Sequence, residues 1–387
     1  MNYTAKLTDQ EVLEHARDVL AEHMPLERRE TVCTGSDLLQ ILLGVSAKKG
    51  TVHSMCRSLE NAPSDASVRN YLNEQLTVEN LKEVEEQINH ALASQIQRRV
   101  FKRPRETAMD YHEQAYYGKT SQAKGLWIRA EAKVGTTRFY RVATAYVIWR
   151  DMRVTLAIRF VLPEEDTVSI LSDLLKMLKA LKYKVKTLFL DRGFDGVRVM
   201  RFLTKTHLRA VIACTIRGKT GGTRALCHGP GSYITRYTFN SPLHGPFTAK
   251  LAVCKVFTTS RRTGRSQRRA DWMIFILVRC GFSPKRVRQA YRRRFGIESS
   301  YRCARKTRGW TTSPNPVIRF LLIALSFFLL NVWVALRWRF AQIPRRGGRA
   351  VDYAHFRLER FITWIILAIY DIYKPITAIR ALALPIV

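Results

Sequence analysis

The chain has 387 residues, with 65 Lys and Arg against 31 Asp and Glu, for a formal charge of +34. A surface so one-sided repels itself unless a polyanion neutralises it, so nucleic acid is the expected partner and an anionic membrane a distant second. Seven scattered cysteines without a CxxC pair argue against a disulfide framework or a zinc knuckle and fit reduced cytosolic thiols. The opening MNYTAKLTDQ is too polar for a signal peptide.

The length suggests two or three domains. Residues 1–100 hold 11 basic and 15 acidic side chains, so the whole positive excess lies beyond them. In this first segment apolar residues recur near a period of 3.6 over 8–23, 37–45, 51–59, 66–74 and 78–98, which predicts helices. Asn61-Ala-Pro-Ser64 is turn chemistry followed by an N-cap. Two short helices across such a turn fit a helix-turn-helix that reads DNA; they equally fit a small bundle that links or dimerises. A basic linker from Arg98 to Arg105 follows.

From Glu106 the period changes to two. Strands are expected at 107–112, 126–133, 139–149 and 154–161, with turns at Gly135-Thr-Thr and Arg150-Asp151, as in an antiparallel meander. Pro163 opens a helix to about residue 182, acidic in its first turn (Glu164, Glu165, Asp166) and apolar on one face. The run 185–190 then reads as a buried strand that stops abruptly on Asp191, ahead of a turn at Arg192-Gly-Phe-Asp195. Asp191 is either an acidic cap on a strand-to-helix connection or a carboxylate that a metal ion neutralises, since an unpaired buried charge costs several kcal/mol. Three strands, a helix and a further strand form an α/β layout in the order of the ribonuclease-H-like fold.

Residues 210–217, 232–239, 247–257 and 272–278 alternate or run apolar between turns and basic loops (217–224 and 261–269), which predicts a mainly β insertion. Ser283-Pro284 starts a basic helix of about 25 residues, with Gly309 as its C′ residue and Gly296 marking a close approach inside it. The uncharged run 320–336 is marginally short of a bilayer core and reads as a buried helix rather than a membrane span. A basic loop at 344–349 and an amphipathic helix at 356–373 close the chain. The expected organisation is a helical N-terminal domain (1–100), a ribonuclease-H-like core in two parts (101–195 and 283–345), the β insertion between them (196–282), and a helical tail (346–387).

Carboxylates are scarce after residue 100, so the search for chemistry is short. Glu164, Glu165, Asp166 and Asp173 belong to a helix, Asp151 and Asp271 to turns, and Asp352, Glu359 and Asp371 to the tail. Asp110, Glu113, Asp191 and Asp195 remain near strand ends, with Glu298 on the basic helix. At 100° per residue Tyr291, Arg294, Glu298 and Arg305 share one face, within about 60° of arc. Glu298 is either part of a surface face with i,i+4 pairs to Arg294 and Arg302, each worth tenths of a kcal/mol, or it meets Asp110 and Asp191 around a divalent metal. Three carboxylates make a hard site suited to Mg²⁺ or Mn²⁺, and two such ions would activate water or a DNA 3′-OH. Tyr291, Tyr301, Phe295 and Trp310 either stack on bases or pack in the core. Cys227-His228 has no metal-ligand spacing, and Gly218-Lys-Thr lacks the upstream glycine of a phosphate-binding loop.

Here the sequence resembles the insertion-sequence DDE transposases with a β insertion and a Tyr-x2-Arg-x3-Glu-x6-Lys signature. Tyr291, Arg294 and Glu298 match at that spacing; Arg305 stands in the lysine position, with Lys306 beside it. Asp191-Arg-Gly-Phe is similar to the family's second Asp motif, and Ala108-Met-Asp110-Tyr-His with Tyr116-Tyr-Gly to its first. The resemblance implies hydrolysis at transposon ends and transfer of the exposed 3′-OH into target DNA. It implies Asp110, Asp191 and Glu298 as ligands of two Mg²⁺ or Mn²⁺ ions, with Tyr291, Arg294, Arg302 and Arg305 or Lys306 on DNA phosphates. Some relatives pass through a hairpin intermediate, and Trp272 is then a candidate to receive a flipped base, its other reading being core packing. Also implied are a dimer or higher multimer on DNA, and a cytoplasmic, nucleoid-associated place in a prokaryote with no membrane partner. Three other readings stand beside this one: a domesticated relative acting only as a nuclease, a non-catalytic basic DNA-binding protein, and an integral membrane protein.

Overall fold

The computed structural model describes all residues except 1–5, 27–32, 120–124, 150–153, 263–264, 346–347 and 379–387. The expected turn at Arg150-Asp151 therefore lies outside the described residues, as do the tip of the 261–269 loop and residues 346–347 of the later basic loop. Two compact units form, and both are discontinuous in sequence. One comprises Gln97–Tyr116 and Trp127–Tyr301; the other Met1–Ile96, Tyr117–Leu126 and Arg302–Val387.

The first unit is built on a nine-stranded mixed sheet. Its opening strand β1 (Arg105–Ala115) pairs antiparallel with β3 (Thr136–Ile148), whose other edge carries β2 (Ile128–Lys133) and β4 (Thr155–Val161). β4 is buried at every position, including Arg159, whose charge is met by Glu165 and Asp173. A crossover helix follows, α7 (Thr167–Ala180). It starts later than expected, because Asp166 caps it by accepting from the Val168 and Ser169 N–H groups. Glu165 sits ahead of the helix and pairs with Arg159.

β5 (Val185–Leu190) then runs parallel to β1, and β6 (Ala210–Cys214) runs parallel to β5. The strands do not follow one another as the expected meander, since β3 takes β1 on one edge and both β2 and β4 on the other; with the crossover and the parallel strands they give the order β4-β3-β1-β5-β6, that of a ribonuclease-H-like core. Between β5 and β6 lies a helix that the sequence reading missed, α8 (Val197–Lys205). It is amphipathic, burying Val197, Val199, Met200 and Leu203, but only nine residues long and enclosed between two strands. β6 accordingly belongs to the core sheet, not to the insertion. β7 (Tyr233–Ser241), β8 (Gly245–Arg262) and β9 (Arg265–Val278) form an antiparallel extension that joins the core where β9 pairs with β6. The long basic helix α9 (Pro284–Ala304) returns over the sheet. It ends four residues short of expectation.

The second unit is helical apart from one hairpin. α1 (Asp9–His23), α2 (Gly35–Lys48), α3 (Val52–Cys56), α4 (Asp65–Gln75) and α5 (Leu81–Ser94) follow the expected periodicity, and α6 (Arg98–Phe101) begins the sheet unit. α1 to α3 open on capping boxes at Thr8, Thr34 and Thr51. The turn between α3 and α4 is tied to the chain's far end, where Glu60 and Asn61 donate backbone hydrogen bonds to Lys374 and Tyr373. α10 (Pro316–Phe340) is long and apolar enough to cross a membrane, yet its apolar window is wholly buried in this unit. Asn331 within it donates to the Leu92 carbonyl at 3.0 Å. A hairpin of β10 (Gln342–Arg345) and β11 (Gly348–Val351) leads to α11 (Leu358–Tyr373), whose Tyr373 hydroxyl reaches Asp37 and Gln40, each at 2.7 Å. Gly309 is not a C′ residue. A Cβ there would lie 2.7 Å from Val45 Cγ1, so the glycine serves a close approach.

Asn315 caps α10 through Oδ1 while its Nδ2 donates to the Leu76 carbonyl at 2.7 Å. Asn315→Ala should therefore cost about 2 kcal/mol, a lost cap plus a carbonyl left without its partner, read as a lower midpoint in urea unfolding at unchanged slope.

Candidate active site

The site begins with strand register. β1 and β5 are parallel, and their last paired residues are Met109 and Leu190. The next residue on each side is an aspartate, so Asp110, midway along β1, and Asp191, just past the carboxyl end of β5, emerge side by side where the pairing of the two strands stops. This is where open α/β sheets place their ligand sites. The Asp191-Arg-Gly-Phe motif then has a local explanation. Phe194 is fully buried and stacks on Tyr111, the residue after Asp110, at 4.7 Å and 3°. A Cβ on Gly193 would lie 3.3 Å from the same Tyr111 ring, closer than most side chains tolerate. The ring stack clasps the two strand ends together.

α9 brings the third carboxylate. Tyr291 is buried against Phe275 and Phe189, and its hydroxyl donates to the Leu190 carbonyl at 3.2 Å, with Asp191 Oδ1 3.4 Å away. One turn on, Gly296 lets the helix settle over β3, where an added Cβ would sit 3.3 Å from the Tyr146 hydroxyl. Tyr301 is buried as well, its hydroxyl 2.6 Å from Thr144 Oγ1 and its ring beside His112. With the helix anchored at these points, the i,i+4 pair Arg294 and Glu298 faces the strand ends.

All three carboxylates converge on one guanidinium. Arg294, 3 % exposed, donates through Nη2 to Asp110 Oδ2 at 2.7 Å. The same nitrogen lies 3.5 Å from Asp191 Oδ1, and Nη1 lies 3.9 Å from Glu298 Oε1. Asp110 Oδ1 also accepts the Tyr111 N–H at 2.9 Å. Burial pushes the Asp110 carboxyl up to about 6; Arg294 opposes that, while the charges of Asp191 and Glu298 add to it. Glu298 itself is exposed.

The remaining carboxylates near the strand ends are occupied. Asp195 turns away and is buried, accepting the Thr215 N–H at 2.8 Å and pairing with Arg217 at 3.2 Å. Glu113 pairs with Arg141 at 2.6 Å and Lys133 at 3.1 Å. Tyr291 and Tyr301 are packing and positioning residues, not open stacking platforms. Trp272 on β9 is half-buried, with Lys255 Nζ 5.5 Å above its ring. Arg302, Arg305 and Lys306 fall in the helical unit; the first two are exposed, and Lys306 pairs with Glu359 at 2.5 Å. Trp310 is half exposed in that unit. The side chain of Phe295 lies outside the described residues.

Residues 119–331 match the sequence profile described as the transposase DDE domain. The chain belongs to that family. The matched span includes Asp191 and Glu298 and begins after Asp110, whose place beside them comes from the β1–β5 register. Among solved structures, this transposase is similar to a piggyBac transposase synaptic complex with hairpin DNA, determined by cryo-EM. The TM-score is 0.53 and the identity 11 %, over 97 % of this chain and 81 % of that one. The likeness is one of fold, a ribonuclease-H-like transposase core. Among curated proteins no relative matches.

The donor chemistry fits a hard divalent ion: three carboxylates of differing exposure on one cation-filled spot. Among the described residues, however, no group of three such side chains is drawn close enough to hold a metal ion as the transposase stands. The guanidinium supplies the compensating charge instead. Because burial raises the Asp110 carboxyl to about 6, the folded chain keeps a proton that the unfolded chain loses near its ordinary carboxylate pKa, so stability should fall as the pH rises from about 4 to 6 and level off above it. Urea unfolding across that range reads the slope, and Asp110→Asn should remove this contribution.

Proposed function

We propose that this transposase cleaves DNA strands at transposon ends and transfers the exposed 3′-OH to target DNA, with Asp110, Asp191 and Glu298 as its catalytic carboxylates. The observation that carries the reading is the convergence of these three side chains, from β1, β5 and α9, on the single guanidinium of Arg294. Family membership and the neighbour's hairpin DNA complex support DNA as the partner.

Asp110, Asp191 and Glu298 would hold Mg²⁺ or Mn²⁺, two ions on the family pattern. Such ions, when bound, activate a water or 3′-OH and stabilise the leaving oxygen in an in-line displacement. The chain's own residues do the rest. Tyr291 restrains the Asp191 carboxylate from below, and the Tyr111–Phe194 stack keeps the two aspartates adjacent. Preorganisation of this kind keeps the ligands from having to reorganise during reaction. The outer face of α9 presents Lys285, Arg286, Arg288, Arg292 and Arg293, most of them exposed, as phosphate contacts. In the helical unit Arg302 and Arg305 supply phosphate contacts of their own, as does Lys306 when DNA displaces Glu359. Trp272, partly exposed on the β extension, is the candidate to receive an extruded base. Assembly as a dimer or higher multimer on paired ends, in a prokaryotic cytoplasm, completes the proposal.

Glu298→Gln removes one carboxylate charge and keeps its shape. Mg²⁺-dependent cleavage of terminal-repeat DNA should drop about a hundredfold or more, since a charge worth several kcal/mol in the transition state is lost, with DNA binding retained. Undiminished cleavage by this variant would leave the carboxylate cluster a structural ion-pair network and the chain a basic DNA-binding protein.

A further inference from the structure

Arg294 occupies an odd position for a phosphate-gripping arginine. It is almost wholly buried, and its guanidinium lies among the carboxylates rather than on the basic outer face of α9. Its Nε is buried without a hydrogen-bond partner, so the side chain is held by charge at its two terminal nitrogens and is not saturated. A single positive charge shared by three carboxylates leaves the cluster net negative.

We infer that Arg294 is a resident counter-cation, which holds Asp110, Asp191 and Glu298 together in the ion-free protein and must be displaced for a divalent ion to enter. The inference rests on the proposed function of these carboxylates. Without the guanidinium the three charges repel one another at close range, and Asp110 does so from a buried position. The ion-free state is then raised in free energy, and a divalent ion meets no competitor. A purely structural arginine predicts the reverse: its loss would let the carboxylates drift apart and weaken ion binding. The direction of the change therefore separates the two roles.

The test is Mn²⁺ titration calorimetry on the full chain without DNA, comparing wild type, Arg294→Gln and Asp191→Asn, with thermal unfolding recorded at each Mn²⁺ concentration. Arg294→Gln should bind Mn²⁺ about tenfold tighter than wild type, within the usual range for coupled sites, and should gain more thermal stability from the ion. If that variant folds neither with nor without the ion, Arg294→Lys replaces it. One ammonium cannot bridge three carboxylates, so the same change in affinity is expected with smaller size. Should Asp191→Asn weaken Mn²⁺ binding while the Arg294 variants bind it no tighter than wild type, the counter-cation role is overturned and the metal-site reading survives. Indifference of Mn²⁺ binding to Asp191→Asn overturns both.

Discussion

The parallel pairing of β1 with β5 is the constraint on which the rest of the site depends. Parallel strands with three further strands and a crossover helix between them bring residues more than eighty positions apart into register, and here the register ends at Met109 and Leu190. A slip of one residue would turn one aspartate into the opposite face of the sheet. Tyr111, Gly193 and Phe194 guard against this slip, since ring stack and glycine fit each other only when the strand ends are level. The same aromatic pair buries apolar surface next to the charges, and Asp110 lies within that dry setting.

Placing two carboxylates there has an electrostatic cost, and the fold answers it with an arginine from a third element. α9 reaches the site only because β9 returns antiparallel beside β6 and delivers the helix over the sheet. Tyr291 and Gly296 set its height, one by reaching the Leu190 carbonyl and the other by making room for Tyr146. The β extension between β6 and α9 thus does not disturb the core. It is spliced in as an edge, and the sheet runs through it without a break.

Elsewhere the scarce acidic side chains are spent locally. Asp195, Glu113, Glu165 and Asp173 each have an arginine partner near them in the fold. In a chain of such positive charge these pairs keep the sheet unit from repelling itself. The helical unit solves a different problem. Its α10 is too apolar to face water and is wrapped by α2 and α5, with Asn331 and Asn315 tied to carbonyls of the first segment. Residues 1–96 and 302–387 accordingly form one compact body, although more than two hundred positions separate them.

The sequence by itself determined the elements with a strong local mark: the alternating strands that follow Glu106, the apolar run ahead of Asp191, α9 from its Ser283-Pro284 start, and α10 from its uncharged run. It also singled out Asp110, Asp191 and Glu298, because carboxylates are few and each stands at the end of an apolar run or on a spaced helical face. It could not determine that β6 belongs to the core or that the first and last segments pack as one body. Those outcomes depend on which surfaces meet, and local periodicity carries no record of a partner far along the chain. Only the tertiary structure decided what Tyr291 and Arg294 touch. A helical face says which side chains point the same way; the depth at which the helix lies on the sheet says whether they meet solvent, phosphate or three buried carboxylates.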